Sequence, residues 1–387
     1  MHPSPFFKLA GGLLLLSILA SACGSAATPT PAAGLPAQIS LAAVQDLTGP
    51  NAVYGTSIKM GVDLAVQQIN AQKFLGDSVT LSVNYTDTAS DTAQVTTAFQ
   101  KLAKDPTVTA IIGPTLSTEA VAADPIAQQA GLPVVASSNT ANGITAIGNF
   151  IFRTSLPESA VVPNTVSVVT KALGLKKVAI IYGTDDAYTT SAEQIFKDSF
   201  TKAGVQVLPE ETFIKGDTDF SAQLKSIKSE NPDAIVVAAL VAEATQIMTQ
   251  ARQLGIPTSV PFIGGNSFNS PKLAQASNGA GEGAISGSAW SLDSSVPASV
   301  DFVKAFNAAY NSNPDQFAAQ AYTTAWVIAQ AVKNGNSVER ATLRDALAKI
   351  TDFASPLGNF SFDANRDPVH QPVVLIVKNG KFQVYQP

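Results

Sequence analysis

The chain has 387 residues, more than one compact core usually holds, so two domains are expected. Hydrophobic residues make up 45% and charged residues 14%, which excludes an intrinsically disordered chain. The formal charge is -5 without any basic block, which argues against a nucleic-acid partner, since phosphates require clustered Lys and Arg.

The first residues read as an export signal. Met1–Lys8 carries a positive residue, Leu13–Ala20 is an apolar core too short to span a bilayer, and Ala20-Ser21-Ala22 leads to Cys23. This order resembles a bacterial lipobox, in which the cysteine becomes the lipidated first residue; Ala20 stands where Leu is commonest. An ordinary cleavage site with an incidental cysteine is the alternative. Cys23 is the only cysteine, so no intramolecular disulfide can form. Residues 24–37 are small and rich in Pro and Thr, as in an extended tether. No later stretch has the ~20 consecutive apolar residues of a membrane span. The expectation is a signal peptide over 1–22, a lipidated Cys and tether over 23–37, and an exported domain held to the outer side of the membrane by lipid alone.

From Ile39 onward, strand and helix patterns alternate. Ile39–Val44 reads as a strand emptying into Gln45-Asp46-Leu47-Thr48-Gly49-Pro50, and Ser57–Ala71 as a helix with Ile58, Val62, Ala65 and Ile69 on one face. Val79–Tyr85 alternates like a strand, and Ala93–Leu102 is helical. Val108–Ile112 is an apolar strand closed by Gly113-Pro114; Ser117 and Thr118 open a helix that Gly131 and Pro133 stop. Leu132–Ala136 is a further strand, ending in Ser137-Ser138-Asn139-Thr140. Both of these strands thus end in small hydroxyl residues, where an α/β sheet normally receives its ligand. Hydroxyls and free backbone N–H groups there suit a small anion such as a carboxylate. Capping of helices and turns is the competing explanation for the same residues.

After Phe152-Arg153-Thr154-Ser155 the pattern restarts. Ala160–Leu173 is helical, with Gly174 placed as a C-cap, and Lys177–Tyr182 is a strand ending in Gly183-Thr184-Asp185-Asp186-Ala187-Tyr188. A helix (190–203), a strand (205–210), a helix (219–229) and a strand (Ala234–Leu240) follow. Another helix runs to Leu254, and Val260–Ile263 ends in Gly264-Gly265-Asn266. Repeated units of this kind imply parallel strands with right-handed crossovers. The remainder is strand-like at Ala284–Trp290, helical at Val300–Tyr310, Phe317–Lys333 and Val338–Ile350, and strand-like at Phe360–Phe362, Val373–Val377 and Phe382–Tyr385. Such leftovers fit a chain that crosses back to complete both halves. The expected division is 38–154 plus 288–355 for the first lobe and 155–287 plus 356–387 for the second, with a hinged cleft between them.

Catalytic chemistry is sparse. His370 is the only histidine past the signal, which makes a zinc site or a Cys–His dyad unfavourable. There is no G-x-S-x-G elbow, and Gly279-Ala280-Gly281-Glu282-Gly283 has the wrong spacing for a phosphate loop. Asp185-Asp186 could serve acid–base work, although adjacent acids at a strand end more often cap a helix. The residues favour binding over turnover, with no cofactor, no metal and no enzyme activity expected.

Several stretches together resemble the type I periplasmic binding fold, in the leucine/isoleucine/valine-binding branch of receptors for ABC importers. They are Thr48-Gly49-Pro50 with Tyr54-Gly55 and Gly61, Ile69-Asn70-Ala71, Asp87, Ile111-Ile112-Gly113-Pro114 with Ser117, Asp186-Ala187-Tyr188, Gln250-Ala251-Arg252 with Leu254-Gly255, and Gly358 through Phe362-Asp363. The resemblance implies two Rossmann-like lobes with parallel-sheet cores joined by a multi-crossover hinge, and an ABC permease as partner. It implies that a ligand carboxylate is held by Ser117 after the third strand and by Ser138 and Thr140 after the fourth. Tyr54 and Tyr188 match aromatic positions lining the cleft, and Phe317 matches an apolar wall. Where the amino-acid receptors of that branch carry an acid for the ligand ammonium, this chain has Asn266. An amide brings no charge, and a buried, unpaired ammonium is costly. An α-amino acid would then need Asp185, Asp186 or Glu243 for its charge; an amide, keto or aromatic acid is the competitor. A sensing module on the same fold is the alternative to transport.

Overall fold

The computed structural model describes residues 34–276 and 279–386. The expected signal peptide and Cys23 lie outside the described residues.

The first sheet takes its strands from the opening alternation. β1 (Gln38–Gln45), β2 (Thr80–Asp87), β3 (Val108–Ile112), β4 (Val134–Ala136) and β5 (Ile151–Arg153) lie in the order β2-β1-β3-β4-β5, all parallel. β3 and β4 are buried throughout, which is why they read as unbroken apolar runs. The connecting helices are α1 (Ala52–Ala71), α2 (Thr92–Ala103) and α3 (Ser117–Gln129). α1 begins five residues before the amphipathic pattern that starts at Ser57. Gly49, Pro50 and Gly55 conceal that first turn in the sequence. Gly55 is there because a Cβ would meet the Asp46 carbonyl oxygen at 2.0 Å. This close approach brings Tyr54 to the end of β1.

The second sheet is built from β6 (Lys177–Gly183), β7 (Gln206–Val207), β8 (Glu211–Phe213), β9 (Ala234–Ala238), β10 (Phe262–Gly264) and β11 (Ile285–Ser288). α4 (Glu158–Leu173), α5 (Ala187–Lys202), α6 (Ser221–Glu230), α7 (Val241–Gln253) and the short α8 (Pro271–Ala274) connect them. Strands β11, β10, β9, β6 and β7 are neighbours in that order and parallel, with β8 also pairing with β6. The single strand expected over 205–210 is thus two short ones. Pro209 supplies no N–H to a ladder, so pairing breaks there and resumes at Glu211.

The last part of the chain contains α9 (Pro297–Tyr310), α10 (Gln316–Gly335), α11 (Arg340–Leu347), a small hairpin of β12 (Phe353–Ser355) and β13 (Gly358–Phe360), then β14 (Val373–Lys378) and β15 (Lys381–Val384). α10 packs along α1 beside the first sheet, where Gly61 lies against the Ala318 backbone. β14 and β15 return to the second sheet, β14 antiparallel to β11 and β15 antiparallel to β14. The second of these pairings follows from its turn: Asn379 (φ 53) and Gly380 (φ 69) form the two-residue connection of a tight hairpin between β14 and β15. The chain therefore passes between the sheets after β5, after β11 and again before β14. The result is two Rossmann-like lobes whose strands end at a shared cleft.

Candidate functional site

The carboxyl ends of the two sheets face one small cavity. Its lining includes Tyr54, Thr115, Leu116, Ser117, Ser138, Thr140, Tyr188, Leu240, Asn266, Ser267 and Phe317. All seven residues singled out from the sequence thus stand together, although they come from six different segments of chain. The cavity volume is about 20 Å³, room for a water or two. A solute larger than water requires the lobes to part before it enters.

On the first lobe, the loops after β1, β3 and β4 are tied to one another before they meet any solute. Thr115 Oγ1 donates to Gln45 Oε1 (2.8 Å) and accepts from Asp46 N (3.0 Å). Ser138 Oγ donates to Thr115 O (2.6 Å), and Asn139 Nδ2 donates to Pro114 O (2.8 Å). Ser138 thus spends its proton on the neighbouring loop and offers the cleft only lone pairs. Ser117, at the first turn of α3, is different. Its Oγ accepts from Thr140 N and Ala141 N, both at 3.2 Å. With two N–H groups donating to it, the Ser117 hydroxyl keeps its own proton to donate to an anion, and a bound anion would also have to take the Thr140 and Ala141 N–H groups over from Ser117 Oγ.

Arg153 holds that patch in shape. It is 2% exposed; Nε meets Asp367 at 2.6 Å and Nη1 donates to Ala141 O at 2.7 Å. Nη1 also lies 3.4 Å from Asn139 O, which Ser155 Oγ holds at 2.7 Å; this carbonyl shares its peptide plane with Thr140 N–H, so fixing it leaves that N–H directed at Ser117. Nothing in the sequence pattern marked Arg153, the last residue of β5.

Across the cleft, Tyr188 lies in the first turn of α5, and its hydroxyl is 2.8 Å from Ser267 Oγ. Ser267 Oγ in turn donates to Ala239 O (2.8 Å). Tyr54, from the first lobe, reaches over to the second: its hydroxyl donates to Ser267 O (3.1 Å) and accepts from Val241 N (2.9 Å). Burial pushes both phenols above the ordinary tyrosine range. The Phe317 ring packs against Tyr54, with centroids 4.7 Å apart, so the two form one apolar wall.

Asn266 is fully engaged. Its Nδ2 donates to Leu156 O (3.1 Å) and its Oδ1 accepts from Gln316 Nε2 (3.0 Å). The acids considered from the sequence as charge partners are occupied elsewhere. Asp185 accepts from Lys215 N, Glu243 accepts from Gly216 N, and Asp186 caps α5 through Tyr188 N and Thr189 N. An acid does stand behind the cavity wall, bonded to Asn266 and Thr140: Glu158, the first residue of α4, which the sequence pattern did not single out. Burial raises its carboxyl to about 7, opposed chiefly by the hydrogen bonds from Asn266. The available signal was faint: a Pro-Glu pair at a helix start, normally read as a charge favouring the helix dipole.

Among relatives, the leucine-, isoleucine-, valine-, threonine- and alanine-binding protein of Pseudomonas aeruginosa is 25% identical over 349 residues, 90% of this chain and 89% of that protein. The branched-chain amino acid transporter substrate binding protein LivJ from Streptococcus pneumoniae, solved in complex with isoleucine, is 31% identical with a TM-score of 0.83, covering 90% of this chain and all of that one, 100%. An ABC transporter solute binding protein from R. palustris, solved in complex with benzoate, is 27% identical with a TM-score of 0.81, covering 90% and 95%. The model of the family described as periplasmic binding protein matches residues 38–381, and the chain belongs to that family.

Proposed function

We propose that this protein is a receptor that closes its two lobes over a small carboxylate-bearing solute and hands it to an ABC importer. As a member of a periplasmic family it is an exported protein. The observation that carries the ligand assignment is the convergence of the Ser117 hydroxyl with Thr140 N and Ala141 N at the carboxyl end of the first sheet. Neutral donors of this kind hold a carboxylate without a buried counter-charge. Tyr54, Tyr188, Phe317, Asn266 and Ser138 complete the wall around the rest of the solute. In this reading the lobes are 38–154 plus 288–355 and 155–287 plus 356–387, and Cys23 carries a lipid that holds the receptor beside its permease. The kinship with branched-chain amino acid receptors supports an amino acid as the solute.

A second reading has its own observation. Leu240 is apolar and Asn266 uncharged on the second lobe, and the R. palustris relative was solved with benzoate. An aromatic or keto acid suits such a wall.

The test is a calorimetric and thermal-shift screen of purified protein against branched-chain amino acids, their keto acids, their amides and benzoates. Ser117→Ala should weaken binding of every carboxylate by roughly 10- to 100-fold, the worth of one or two hydrogen bonds to a charged group. Amides of the same solutes should lose less. No binding across the panel, or equal affinity in Ser117→Ala and the parent, would count against the assignment.

A further inference from the structure

The second lobe has no acid at Asn266, yet a carboxylate stands directly behind that residue. Glu158 Oε1 accepts from Asn266 N at 2.9 Å and lies 3.3 Å from Asn266 Nδ2 and 3.4 Å from Thr140 Oγ1. Glu158 is 0% exposed, and among the described residues its Oε2 has no hydrogen-bond partner. Thr140 and Asn266, which touch it, both line the cavity. Gly265 makes room for the group: a Cβ there would meet Oε2 at 2.5 Å and Oε1 at 2.6 Å.

We infer that Glu158 supplies the negative charge for a cationic group on the ligand, in place of an acid at position 266, so that the solute is an α-amino acid rather than a plain carboxylic acid. This rests on the proposed carboxylate-binding reading and adds the second half of the ligand.

The geometry separates the two charges of such a solute. Its carboxylate meets the donors at Ser117, Thr140 and Ala141. Its ammonium lies on the side of Thr140 that faces Glu158, with Thr140 serving both groups: the backbone N–H toward the anion, the hydroxyl oxygen toward the cation. A buried carboxylate with one oxygen unpartnered is costly alone, and a buried ammonium is costly alone; together they relieve one another. Asn266 then keeps a defined task, since its backbone N–H and amide hold Oε1 and leave Oε2 for the ligand. Of the other acids near the cleft, Asp186 is a helix cap and Glu243 is bound to Gly216 N. Among the described residues, Asp46 and Glu119 also keep one buried oxygen each without a hydrogen-bond partner. They neighbour one another on the first lobe, where Asp46 accepts from Thr88 and Ser90 and Glu119 from Leu116 N, and neither contacts Asn266 or Thr140 by a hydrogen bond.

The experiment compares L-leucine and L-isoleucine with 4-methyl-2-oxopentanoate and benzoate, by calorimetry, on the parent, Glu158→Gln and Glu158→Asp. The parent should bind the amino acids at least about 100-fold more tightly than the keto acid, and Glu158→Gln should reduce that ratio to below about 10-fold by weakening only the amino acids. Glu158→Asp, which keeps the charge on a shorter stem, should retain part of the preference. If Glu158→Gln does not fold, Glu158→Asp decides: a selective loss for amino acids supports the inference, and an equal loss for keto and amino acids overturns it. A parent preferring keto acid or benzoate, or a Glu158→Gln variant as selective as the parent, also overturns it while leaving the carboxylate site intact. A parent that binds none of the four probes removes the underlying reading as well.

Discussion

Thr118 Oγ1 donates to Asp186 Oδ2 at 2.6 Å and accepts from Ala187 N at 2.8 Å, joining the start of α3 on the first lobe to the start of α5 on the second. One hydroxyl therefore bridges the mouth of the cleft with both its donor and its acceptor. Asn142 N to Ser191 Oγ (2.9 Å) and Lys215 Nζ to Ser90 O (3.0 Å) continue the same seam. These groups bond across the lobes only when the lobes are together, so their free energy acts on closure. Thr118→Val keeps the side-chain shape and removes both bonds. Affinity should fall about tenfold, or ~1.4 kcal/mol, with the loss mostly in the dissociation rate. Stopped-flow kinetics would read it, and an unchanged dissociation rate would show that closure does not depend on this contact.

Tyr54 makes the deeper bridge. Its hydroxyl joins Ser267 O and Val241 N on the second lobe while its ring lies on Phe317. Tyr54→Phe retains the ring contact and leaves a buried N–H and a buried carbonyl unpaired in the closed form. The unliganded open form should keep its melting temperature within a degree or two. The rise in melting temperature produced by the same excess of ligand should shrink, since binding stabilises by an amount that grows with the logarithm of affinity. Equal ligand-induced shifts in both proteins would refute a closing role for the hydroxyl.

The architecture was largely legible because buried parallel strands leave unbroken apolar runs, as at Val108–Ile112 and Ala234–Ala238, and the helices between them carry clear stops. The two lobes and their shared cleft followed from counting such units. The strand pattern failed where one residue redirected the backbone: Pro209 ended the pairing of β7, which resumes only at Glu211. At the site, residues that end strands were readable by position. Charges held from behind were not. Arg153 and Glu158 act through burial and through partners 214 and 108 residues away, Asp367 and Asn266, and local spacing carries no trace of such pairings.

Beneath the first lobe's edge of the cleft, Glu119 is buried and accepts from Leu116 N at 3.0 Å. Burial, then repulsion from Asp46, raises its carboxyl to about 9, while the Leu116 N–H and Lys215 lower it. The folded value is above the unfolded one, so the folded state holds the proton more firmly. The resulting stability is fully present below about pH 4.5 and is lost as pH rises toward 9. Glu119→Gln mimics the protonated form and keeps an acceptor for Leu116. Urea unfolding at pH 5 and pH 9 should show the parent losing on the order of a few kcal/mol more than the variant across that interval. Parallel pH profiles would mean that Glu119 ionises without cost.

The most consequential substitution is Arg153→Met. The guanidinium is buried against Asp367 and the carbonyls of Asn139 and Ala141, and methionine fills much of its volume without its charge or donors. Removing one partner of a buried ion pair costs about 3–5 kcal/mol, because the remaining carboxylate is left without a counter-charge. Arg153→Lys restores charge but cannot span Asp367 and Ala141 O with a rigid fork. The expected order of melting temperatures is therefore parent, then Lys, then Met. Binding should separate the two variants from a purely structural effect. The Asn139–Ala141 loop aims its N–H groups at Ser117 only while its carbonyls are held from behind. Arg153→Lys should thus lose carboxylate affinity by more than its lowered stability predicts, measured well below its melting temperature. Full affinity in a folded Arg153→Lys protein would show that the loop keeps its shape without the fork.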